Sequence, residues 1–513
     1  MSDHADCIVI GAGHNGLVAA NYLARAGLKV TVLERREMVG GACVTEELFP
    51  GRRMGSCAYI CHVLHERVIN DLALRKHGFE VLPLDPSGLF PFPDGSGFFQ
   101  WHDDRRTADE IARISKHDAR AYPEWVAFWR SAAGILKRYF LTSPPTLAQM
   151  VADARGTPDE HVLETLLTVP VKDIADSMFE TDSIRAAGVG TGDYGALDEP
   201  GSALAHAYFK MSLLTPDENY GIVRGGMGGI TQAMERSAQA AGVTVRTGAD
   251  VQQVIVKKGE VRGVRLASGE VVEATVVLSN ADPKRTFLRL VPEGALRPDF
   301  TDAVRRLKTL SASLKLHAVL KRLPNFSRYL GPDYEKRMPP MIRINPSLDN
   351  FVASWRDAMS GVPTRHPLMQ VQIPTVLDNT LAPDGQHVMS VWVTFQPPHL
   401  KSGSWADVKR QVGEGVIAAL EPYAPDIRDC IEQWDVFTPE DIEERVGMTD
   451  GNIRHLDFLP QQLFANRPMP GWSSYRTPVK GLYLCGAGTH PGGEVTGAPG
   501  HNAAQAVLED RNG

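Results

Sequence analysis

A glycine-rich loop near the N-terminus constrains the fold more than any other feature of this sequence. It follows the short apolar run Cys7–Ile10 and precedes a segment with helical periodicity. The order predicts strand, tight turn and helix. In such a unit Gly11 permits the turn, Gly13 lets a diphosphate approach the backbone, and Gly16 lets the helix pack on the strand. The residues predicted to contact a nucleotide here are Gly11, Gly13, His14, Asn15 and Gly16.

A second strand supports the same interpretation. The helix is predicted to stop at Gly27, and the strand LKVTVLE that follows ends at Glu34. An acid about 20 residues past the glycines binds ribose hydroxyls and selects against a 2′-phosphate. The alternative is a glycine turn that binds no ligand. We therefore predict an α/β fold with a Rossmann-type domain that binds FAD or NAD(P).

The residues after Glu34 bear on which dinucleotide is bound. The sequence continues as Arg35-Arg36-Glu37-Met38-Val39-Gly40-Gly41. A Gly-Gly pair just after the ribose acid resembles the second phosphate-contacting loop of the FAD-dependent amine oxidase and phytoene desaturase superfamily. The resemblance implies an FAD cofactor contacted by Arg35, Gly40, Gly41 and Ala42.

The C-terminal segment resembles the closing FAD motif of carotenoid desaturases. Gly481–Cys485 is a predicted strand, followed by glycine-rich turns and a final helix from about Pro499. Glycines let backbone approach a flat ligand, and the helix would aim its positive N-terminus at the flavin. The cofactor-binding residues predicted here are Gly486, Gly488, Gly493, Glu494 and Val495.

The middle of the chain supplies the rest of the predicted FAD domain. Gly221–Gly229 precedes a helix, and the following residues indicate a β-meander and a returning strand. In the superfamily the backbone of Val251 would contact adenine, and Ala281 and Asp282 would lie near the flavin or its linker. Nearly end to end, the chain resembles phytoene desaturase-like FAD-dependent oxidoreductases, in the branch of pyridine nucleotide-disulphide oxidoreductase domain-containing protein 2.

The FAD-binding domain is expected to be discontinuous. We assign residues 1–85, 221–300 and 456–513 to it. Residues 86–220 and 301–455 would form an inserted α+β substrate domain, as in amine oxidases and phytoene desaturases. Its predicted elements include the helix ARAYPEWVAFWRSAAGILKRYF and the strands SASLKLHAVL, MQVQIPTVLD and HVMSVWVTF, which would roof the flavin.

Three residues are candidates for catalysis. Glu494 follows Gly492-Gly493, where relatives commonly have another glycine, and a raised pKa beside an apolar pocket would suit it to proton transfer. It could equally be a solvent-facing loop residue. His490 would act in catalysis or shape the same loop. Lys315 could hold a water over the flavin, as a lysine does in amine oxidases.

A cluster of cysteines and histidines invites a metal site. Cys57, Cys61, His62 and His65 lie close together in sequence, but their spacing matches no metal or redox-disulfide motif. We predict instead a helix that lines the substrate cavity. Cys43 could hold a flavin covalently, although the usual covalent patterns are absent. We expect no metal.

Composition excludes several classes. A net charge of -7 without a basic cluster disfavours nucleic acid as a partner. Six cysteines in 513 residues, after a start that lacks a signal-peptide core, fit a reducing cytoplasm. No apolar run reaches the roughly 18 to 20 residues of a membrane span, which leaves peripheral membrane contact open.

The predicted function is FAD-dependent redox chemistry on carbon–carbon bonds. A dehydrogenase, desaturase or related isomerase would act on an apolar small-molecule substrate, such as a polyene or an acyl compound. The alternatives are a flavin amine oxidase, which needs an aromatic pair beside the flavin, and an interaction protein stabilised by FAD. The sequence leaves the electron acceptor and the oligomeric state open.

Overall fold

A five-stranded parallel sheet forms the centre of one half of the molecule. The computed structural model describes residues 5–192 and 194–512. In spatial order the sheet consists of Leu482–Leu484, Val276–Ser279, Cys7–Ile10, Val30–Leu33 and Thr244–Arg246. The strands come from three separate parts of the sequence, as the predicted discontinuous domain requires.

Alternate residues of the strand Cys7–Ile10 enter two different cores. Cys7 and Val9 pack beneath the helices His14–Arg25, Gly228–Ala240 and Ala498–Asn512. Ile8 and Ile10 face the antiparallel meander of Val251–Lys257, Glu260–Leu266 and Val271–Glu273. Because side chains alternate along a strand, an apolar run buried on both faces produces this three-layer arrangement.

A seven-stranded mixed sheet forms the centre of the other half. All its neighbouring strands are antiparallel except one parallel pair. In spatial order they are Ile431–Phe437, Ala312–Leu320, His387–Gln396, Met369–Gln372, Met341–Ile344, Gly88–Pro91 and Gly97–Gln100. Every strand falls within 86–220 or 301–455, although the division into domains stays a prediction.

A helical lobe packs beside this sheet around an aromatic core. Its longest helix, Lys116–Lys137, buries Trp125 and Trp129 against neighbouring helices. The other helices of the lobe are Asp104–Ile111, Leu147–Ala154, Asp159–Thr168, Val171–Met178, Asp182–Val189, Ser202–Phe209 and Leu348–Met359.

Shorter elements complete the fold. The remaining α-helices are Glu66–Asp71, Pro283–Arg285, Pro298–Arg305, Ser327–Leu330, Tyr334–Arg337, Trp405–Leu420, Ile427–Cys430 and Pro439–Val446. Two small antiparallel pairs join Thr45–Phe49 to Arg52–Gly55 and Val81–Pro83 to Gly221–Val223. Across the described ranges, none of the helices combines the length and apolar character that crossing a membrane would require.

The predicted helix around Cys57–Cys61 is wrong, because the segment is irregular. Its backbone hydrogen bonds go to distant parts of the chain: the Ala58 N–H donates to the Ala42 carbonyl at 3.0 Å, and the Cys61 N–H donates to the Gly221 carbonyl at 3.0 Å. These contacts replace the local bonds of a helix, which no sequence periodicity could show.

Candidate functional site

A large cavity lies at the carboxyl end of the parallel sheet, where ligands bind in open α/β folds. We call it the nucleotide cavity. It holds about 1420 Å³ of space outside protein atoms, part of it open to solvent. Its lining includes the glycine loop, Glu34, Val251, Asn280 and Ala281.

The glycine loop has the local geometry that the sequence predicts. Gly11 has a φ of +92°, which favours glycine, and a Cβ on Gly16 would lie 2.2 Å from the Gly11 carbonyl oxygen. The helix that follows begins after Gly13 without a side-chain cap. Its first N–H groups are therefore available to an anionic ligand at the positive end of the helix.

Glu34 is held in place before any ligand arrives. The side chain is 6% exposed, and its two carboxylate oxygens accept hydrogen bonds from the Ala12 N–H at 2.8 Å and the Arg36 N–H at 3.0 Å. The carboxylate is thus fixed at the end of the second strand, next to the glycine loop, where a ribose would meet it.

Several polar atoms on the cavity wall lack a partner, which is the structural argument for a polar ligand. In the described part of the chain, His14 Nε2, Asn15 Oδ1 and His455 Nδ1 are buried without a hydrogen bond. Burial lowers the pKa of His14 to about 4, with the charge of His455 acting in the same direction. Since unpaired buried polar atoms are costly, their common position in the cavity wall fits a bound dinucleotide.

Two arginines give one part of the wall positive charge. Arg35 donates a hydrogen bond to the Glu444 carbonyl, and Arg285 lines the cavity nearby. Burial and the neighbouring Arg35 charge lower the pKa of Arg285. A region of positive charge beside an uncapped helix N-terminus suits the diphosphate of FAD.

Most of the residues predicted to bind the cofactor line this cavity. They are Gly11, Gly13, His14, Asn15, Glu34, Arg35, Gly41, Ala42, Val251, Ala281, Glu494 and Val495. Gly16, Gly40, Gly486, Gly488 and Gly493 lie outside the lining.

These five glycines are required by contacts within the protein. A Cβ on Gly486 would lie 2.7 Å from the Asn280 carbonyl oxygen, and one on Gly488 would lie 2.4 Å from Pro283 Cδ. In the C-terminal loop the glycines allow chain segments to pack together, and Ala487, Glu494 and Val495 form the cavity wall. A glycine pattern alone does not distinguish these two uses.

Sequence reasoning missed several parts of the wall. These parts are Asn280, Arg285, Val446–Met448, Ile453, His455 and Ala487; Cys57–Ile60, which the sequence assigned to the lining of the substrate cavity, belongs to the wall as well. Asn280 directly precedes the predicted Ala281 and could have been found from the end of its strand. The segment around Val446–Met448 carries no glycine pattern or acid at a diagnostic distance, so the sequence offered no signal for it.

A second cavity adjoins the nucleotide cavity and extends between the seven-stranded sheet and the helical lobe. It holds about 1580 Å³ and mixes aromatic with charged side chains in its lining. The residues common to both linings, which we call the junction, are Tyr59, Ile60, His62, Trp392, Ile453, Arg454 and Glu494. A ligand in the second cavity would meet one in the nucleotide cavity at the junction.

Glu494 lies at the junction but does not have the raised pKa that the sequence suggests. Arg454 donates a hydrogen bond to one carboxylate oxygen, and His62 Nε2 lies 3.3 Å from the other. Burial alone would raise the pKa of Glu494, but the Arg454 charge and the His62 hydrogen bond outweigh it and hold the pKa well below its usual range. The carboxylate is therefore ionised at neutral pH.

The other two predicted catalytic residues lie outside both cavities. His490 is buried, its Nε2 lies 2.8 Å from the Tyr139 carbonyl oxygen, and burial lowers its pKa to about 4. Lys315 donates to the carbonyl oxygens of Gly55 at 2.7 Å and Cys57 at 3.1 Å. Lys315 contacts the backbone of the cavity wall on the side away from the nucleotide cavity. We therefore expect it to influence the reaction through the position of that backbone.

The cysteines show neither a metal centre nor a disulfide. All six are buried and free. The Cys43 thiol donates to the Met227 carbonyl oxygen at 3.3 Å, and burial raises its pKa, which disfavours the thiolate needed for a covalent flavin bond. In residues 5–192 and 194–512, the one group with metal-ligand proximity is His117, Asp118 and Glu180, on the helical lobe.

Comparison with known proteins decides the family. The sequence profile of the flavin-containing amine oxidoreductases matches residues 16–402. This chain belongs to that family. It is 34% identical to pyridine nucleotide-disulfide oxidoreductase domain-containing protein 2 of Rattus norvegicus, over 98% of this chain and 93% of the relative.

Two further comparisons agree with this assignment. The chain is 27% identical to phytoene desaturase (neurosporene-forming) of Cereibacter sphaeroides, over 99% of this chain and 95% of the relative. Wild-type putrescine oxidase bound to putrescine superposes with a TM-score of 0.62 at 17% identity, and each chain is covered completely. The predicted fold class and the resemblance to phytoene desaturase-like proteins are both confirmed.

Family membership makes this protein an FAD-dependent oxidoreductase. When bound, FAD supplies the redox chemistry by accepting or donating a hydride equivalent. The chain would hold the diphosphate with the glycine loop and the helix N-terminus and the ribose with Glu34, and substrate would meet the flavin at the junction. The family contains more than one substrate chemistry, so the junction has to decide between them.

Proposed function

We propose that this flavin-containing oxidoreductase acts on a carbon–carbon bond of its substrate, as a dehydrogenase, desaturase or related isomerase. The observation that carries the proposal is the charge state of the junction. Its one carboxylate, Glu494, is already paired with the Arg454 guanidinium and contacts the His62 imidazole. No described carboxylate of the junction is left unpaired to bind a substrate ammonium.

The aromatic residues of the junction point in the same direction. Tyr59 and Trp392 are its two aromatic side chains, and they contact each other with ring centroids 5.9 Å apart and ring planes inclined by 38°. An amine held between two rings beside the flavin needs an open gap between them, and here the rings close that gap. The phytoene desaturase relative is named for carbon–carbon chemistry, which supports a carbon–carbon bond as the site of reaction.

Oxidation of a carbon–carbon bond removes a hydride equivalent and a proton from the substrate. With bound FAD available as the hydride acceptor, a group of the chain would have to hold the proton. Ionised Glu494 is a weak base because Arg454 keeps its pKa low. His62, oriented by its contact with Glu494 Oε2, is the junction side chain that we assign to hold the proton. Glu494 then acts by positioning His62 and Arg454.

Anaerobic reduction of the flavin tests this function. Purified, FAD-loaded protein would be mixed with matched pairs of compounds that share a carbon skeleton and differ in having an oxidisable carbon–carbon bond or an amine. We expect the oxidised flavin band to bleach with the carbon–carbon substrates. Bleaching with the amines alone would overturn the proposal and favour an amine oxidase. Reoxidation with oxygen or a quinone would then identify the acceptor class.

His62→Gln provides the matched variant for the proton acceptor. Glutamine keeps a polar contact to Glu494 but cannot take a proton at neutral pH. We expect the same FAD content and a flavin reduction rate lowered by roughly 100-fold, the lower range of general-base effects. An unchanged rate would remove His62 from the mechanism without affecting the choice of substrate bond.

A further inference from the structure

The charges that line the second cavity do not balance. Three carboxylates belong to its lining, and each already has a cationic or imidazole partner. Arg130 lies 3.1 Å from Asp104, Arg454 bonds to Glu494, and His102 contacts Asp217. Two further cations of the same lining, Lys210 and Arg343, have no carboxylate partner within residues 5–192 and 194–512.

Within residues 5–192 and 194–512, the side chains that accept hydrogen bonds from Arg343 are neutral. Its guanidinium donates to the Tyr220 hydroxyl at 3.0 Å and, more weakly, to the Gln100 side-chain oxygen at 3.4 Å. The guanidinium also lies 5.5 Å from the centre of the Phe90 ring. A guanidinium has five N–H donors in a fixed fork, so these two bonds orient it and leave other donors for a ligand.

Lys210 lines the same cavity and, within the described residues, also lacks a carboxylate partner. Its ammonium donates one hydrogen bond, to the Gly188 carbonyl oxygen at 2.9 Å, and lies 6.0 Å from the Trp125 ring. Burial and the nearby Arg343 charge lower its pKa to about 7. Two neighbouring cations in a semi-enclosed cavity repel each other and lose hydration, so a bound anion would relieve both costs.

An apolar extension begins beside these cations. It contains about 430 Å³ of space outside protein atoms, part of it open to solvent, and its lining combines aliphatic side chains with aromatic ones, including Phe90, Tyr122, Trp125 and Phe179. Lys210 belongs to the lining of this extension and of the second cavity alike. The arrangement places positive charge between an apolar pocket and the path to the junction.

We propose that the substrate is an organic acid whose carboxylate binds Arg343 and Lys210 while its apolar part occupies the aromatic extension or reaches the junction. This inference rests on the proposed function and names its substrate class. A planar carboxylate matches the fork of a guanidinium, with the ammonium as a second donor. The substrate class predicted from the sequence, an apolar small molecule, thus becomes an apolar molecule that carries an anionic group.

Binding to the oxidised holoenzyme tests the inference without requiring turnover. The probes are naphthoate, its methyl ester, naphthyl phosphate and naphthylmethylamine, measured by calorimetry. We expect naphthoate to bind at least about tenfold more tightly than the ester or the amine, since hydrogen bonds to charged groups contribute roughly that much. Equal affinity for acid and ester, or tightest binding of the amine, would overturn the proposal. Tightest binding of naphthyl phosphate would overturn the choice of a carboxylate.

Substitutions at the two cations locate the site. Arg343→Met and Lys210→Met should each weaken naphthoate binding by about tenfold and leave ester binding unchanged. Arg343→Lys should lose less because it keeps the charge. Tyr220→Phe is the matched control: it removes a neutral hydrogen bond to Arg343 without changing charge, and we expect less than about a threefold effect. Uniform effects on acid and ester would indicate a structural role and overturn the assignment.

Two further measurements separate a loss of anion binding from a folding defect and from a failure of the proposed function. Neither cation lines the nucleotide cavity, so FAD content and flavin absorbance should stay unchanged in both variants. Asp193 lies outside the described residues, and Asp193→Asn should leave naphthoate affinity unchanged; a gain of tenfold or more would show that the protein supplies its own counter-charge. If naphthoate binds as expected but no carbon–carbon substrate reduces the flavin, the proposed function fails while the anion site stands.

Discussion

The nucleotide cavity and the second cavity adjoin each other, but the chain builds them differently. The first includes the glycine loop and the residues that directly follow three parallel strands, together with side chains from more distant segments. The second is formed by side chains from the mixed sheet, the helical lobe and the irregular segment around Tyr59. Recognition by contiguous backbone leaves a glycine pattern that can be found in a sequence, whereas recognition by side chains from distant elements leaves none.

The two cavities also differ in how they treat charge. In the nucleotide cavity the polar atoms without partners are neutral, and the helix N-terminus supplies much of the positive character. In the second cavity each of the three carboxylates has a partner, whereas Lys210 and Arg343 have no carboxylate partner among the described residues.

The largest effect is expected from Gly16→Ala. The new Cβ would lie 2.2 Å from the Gly11 carbonyl oxygen, a backbone atom that cannot move without opening the loop. We expect loss of tightly bound FAD, measured as flavin per protein after gel filtration. The matched control is Gly134→Ala, also within a helix, where a Cβ meets nothing within 4 Å. It should retain FAD and gain up to about 1 kcal/mol in stability. Retention of FAD by Gly16→Ala would mean that the loop is not tightly constrained.

The next effect concerns the ion pair at the junction. Glu494→Gln leaves the charge of the buried Arg454 without its carboxylate partner, and breaking such a pair costs about 3 kcal/mol. The folded-state pKa of Glu494 is depressed, so its contribution to stability is present above the unfolded pKa and is lost as pH falls below it. In urea denaturation, the free energy of unfolding of the wild type should therefore exceed that of the variant by a large amount near neutral pH and by a smaller amount in acid. An equal difference at every pH would contradict the assignment of an ionised Glu494.

A smaller effect is expected in the pH dependence of anion binding. The titratable groups that line the two cavities together with Lys210 include Arg343 from the mixed sheet, Tyr122 from the long helix and His206 from the preceding helix. Burial raises the pKa of Tyr122 to about 12 and lowers that of His206 well below its usual value, so neither changes charge near neutral pH. Lys210, with a pKa of about 7, does.

Naphthoate should bind best when Lys210 is protonated. Its affinity should therefore fall as pH rises above about 7, by up to about tenfold per pH unit until the raised pKa of the complex is reached. Calorimetry across the neutral range checks this, with Lys210→Met as the control that should abolish the decline. A decline that persists in Lys210→Met would assign the titration to another group.

The smallest effect on the chemistry is expected from Lys315→Met. The substitution leaves the Gly55 and Cys57 carbonyl oxygens without their side-chain donor, which costs about 1 to 3 kcal/mol in stability. Because Lys315 lies behind the wall, the flavin reduction rate should fall less than about tenfold. Stopped-flow reduction and urea denaturation measure the two parts. A loss above 100-fold with FAD retained would give Lys315 the catalytic role that the sequence suggested.

Sequence patterns predicted elements better than they predicted side-chain environments. The strand Ala312–Leu320 and the helix Lys116–Lys137 follow from periodicity, because burial on one or both faces imposes it. The segment around Cys57 was expected to be helical, and tertiary hydrogen bonds to Ala42 and Gly221 make it irregular. Glu494 was expected to have a raised pKa. Arg454, which is distant in sequence but bonded to Glu494 in the fold, lowers that pKa instead.

The sequence by itself determined the Rossmann unit, the FAD cofactor and most of the nucleotide cavity, because a strand, a glycine loop and a ribose acid act through local geometry. Only the tertiary structure showed which contacts the C-terminal glycines make and that Arg454 neutralises Glu494. It also showed that Lys210 and Arg343 line the same cavity. The physical reason is range: hydrogen bonds within a turn depend on neighbouring residues, whereas desolvation and Coulomb interactions depend on which distant segments the fold brings together.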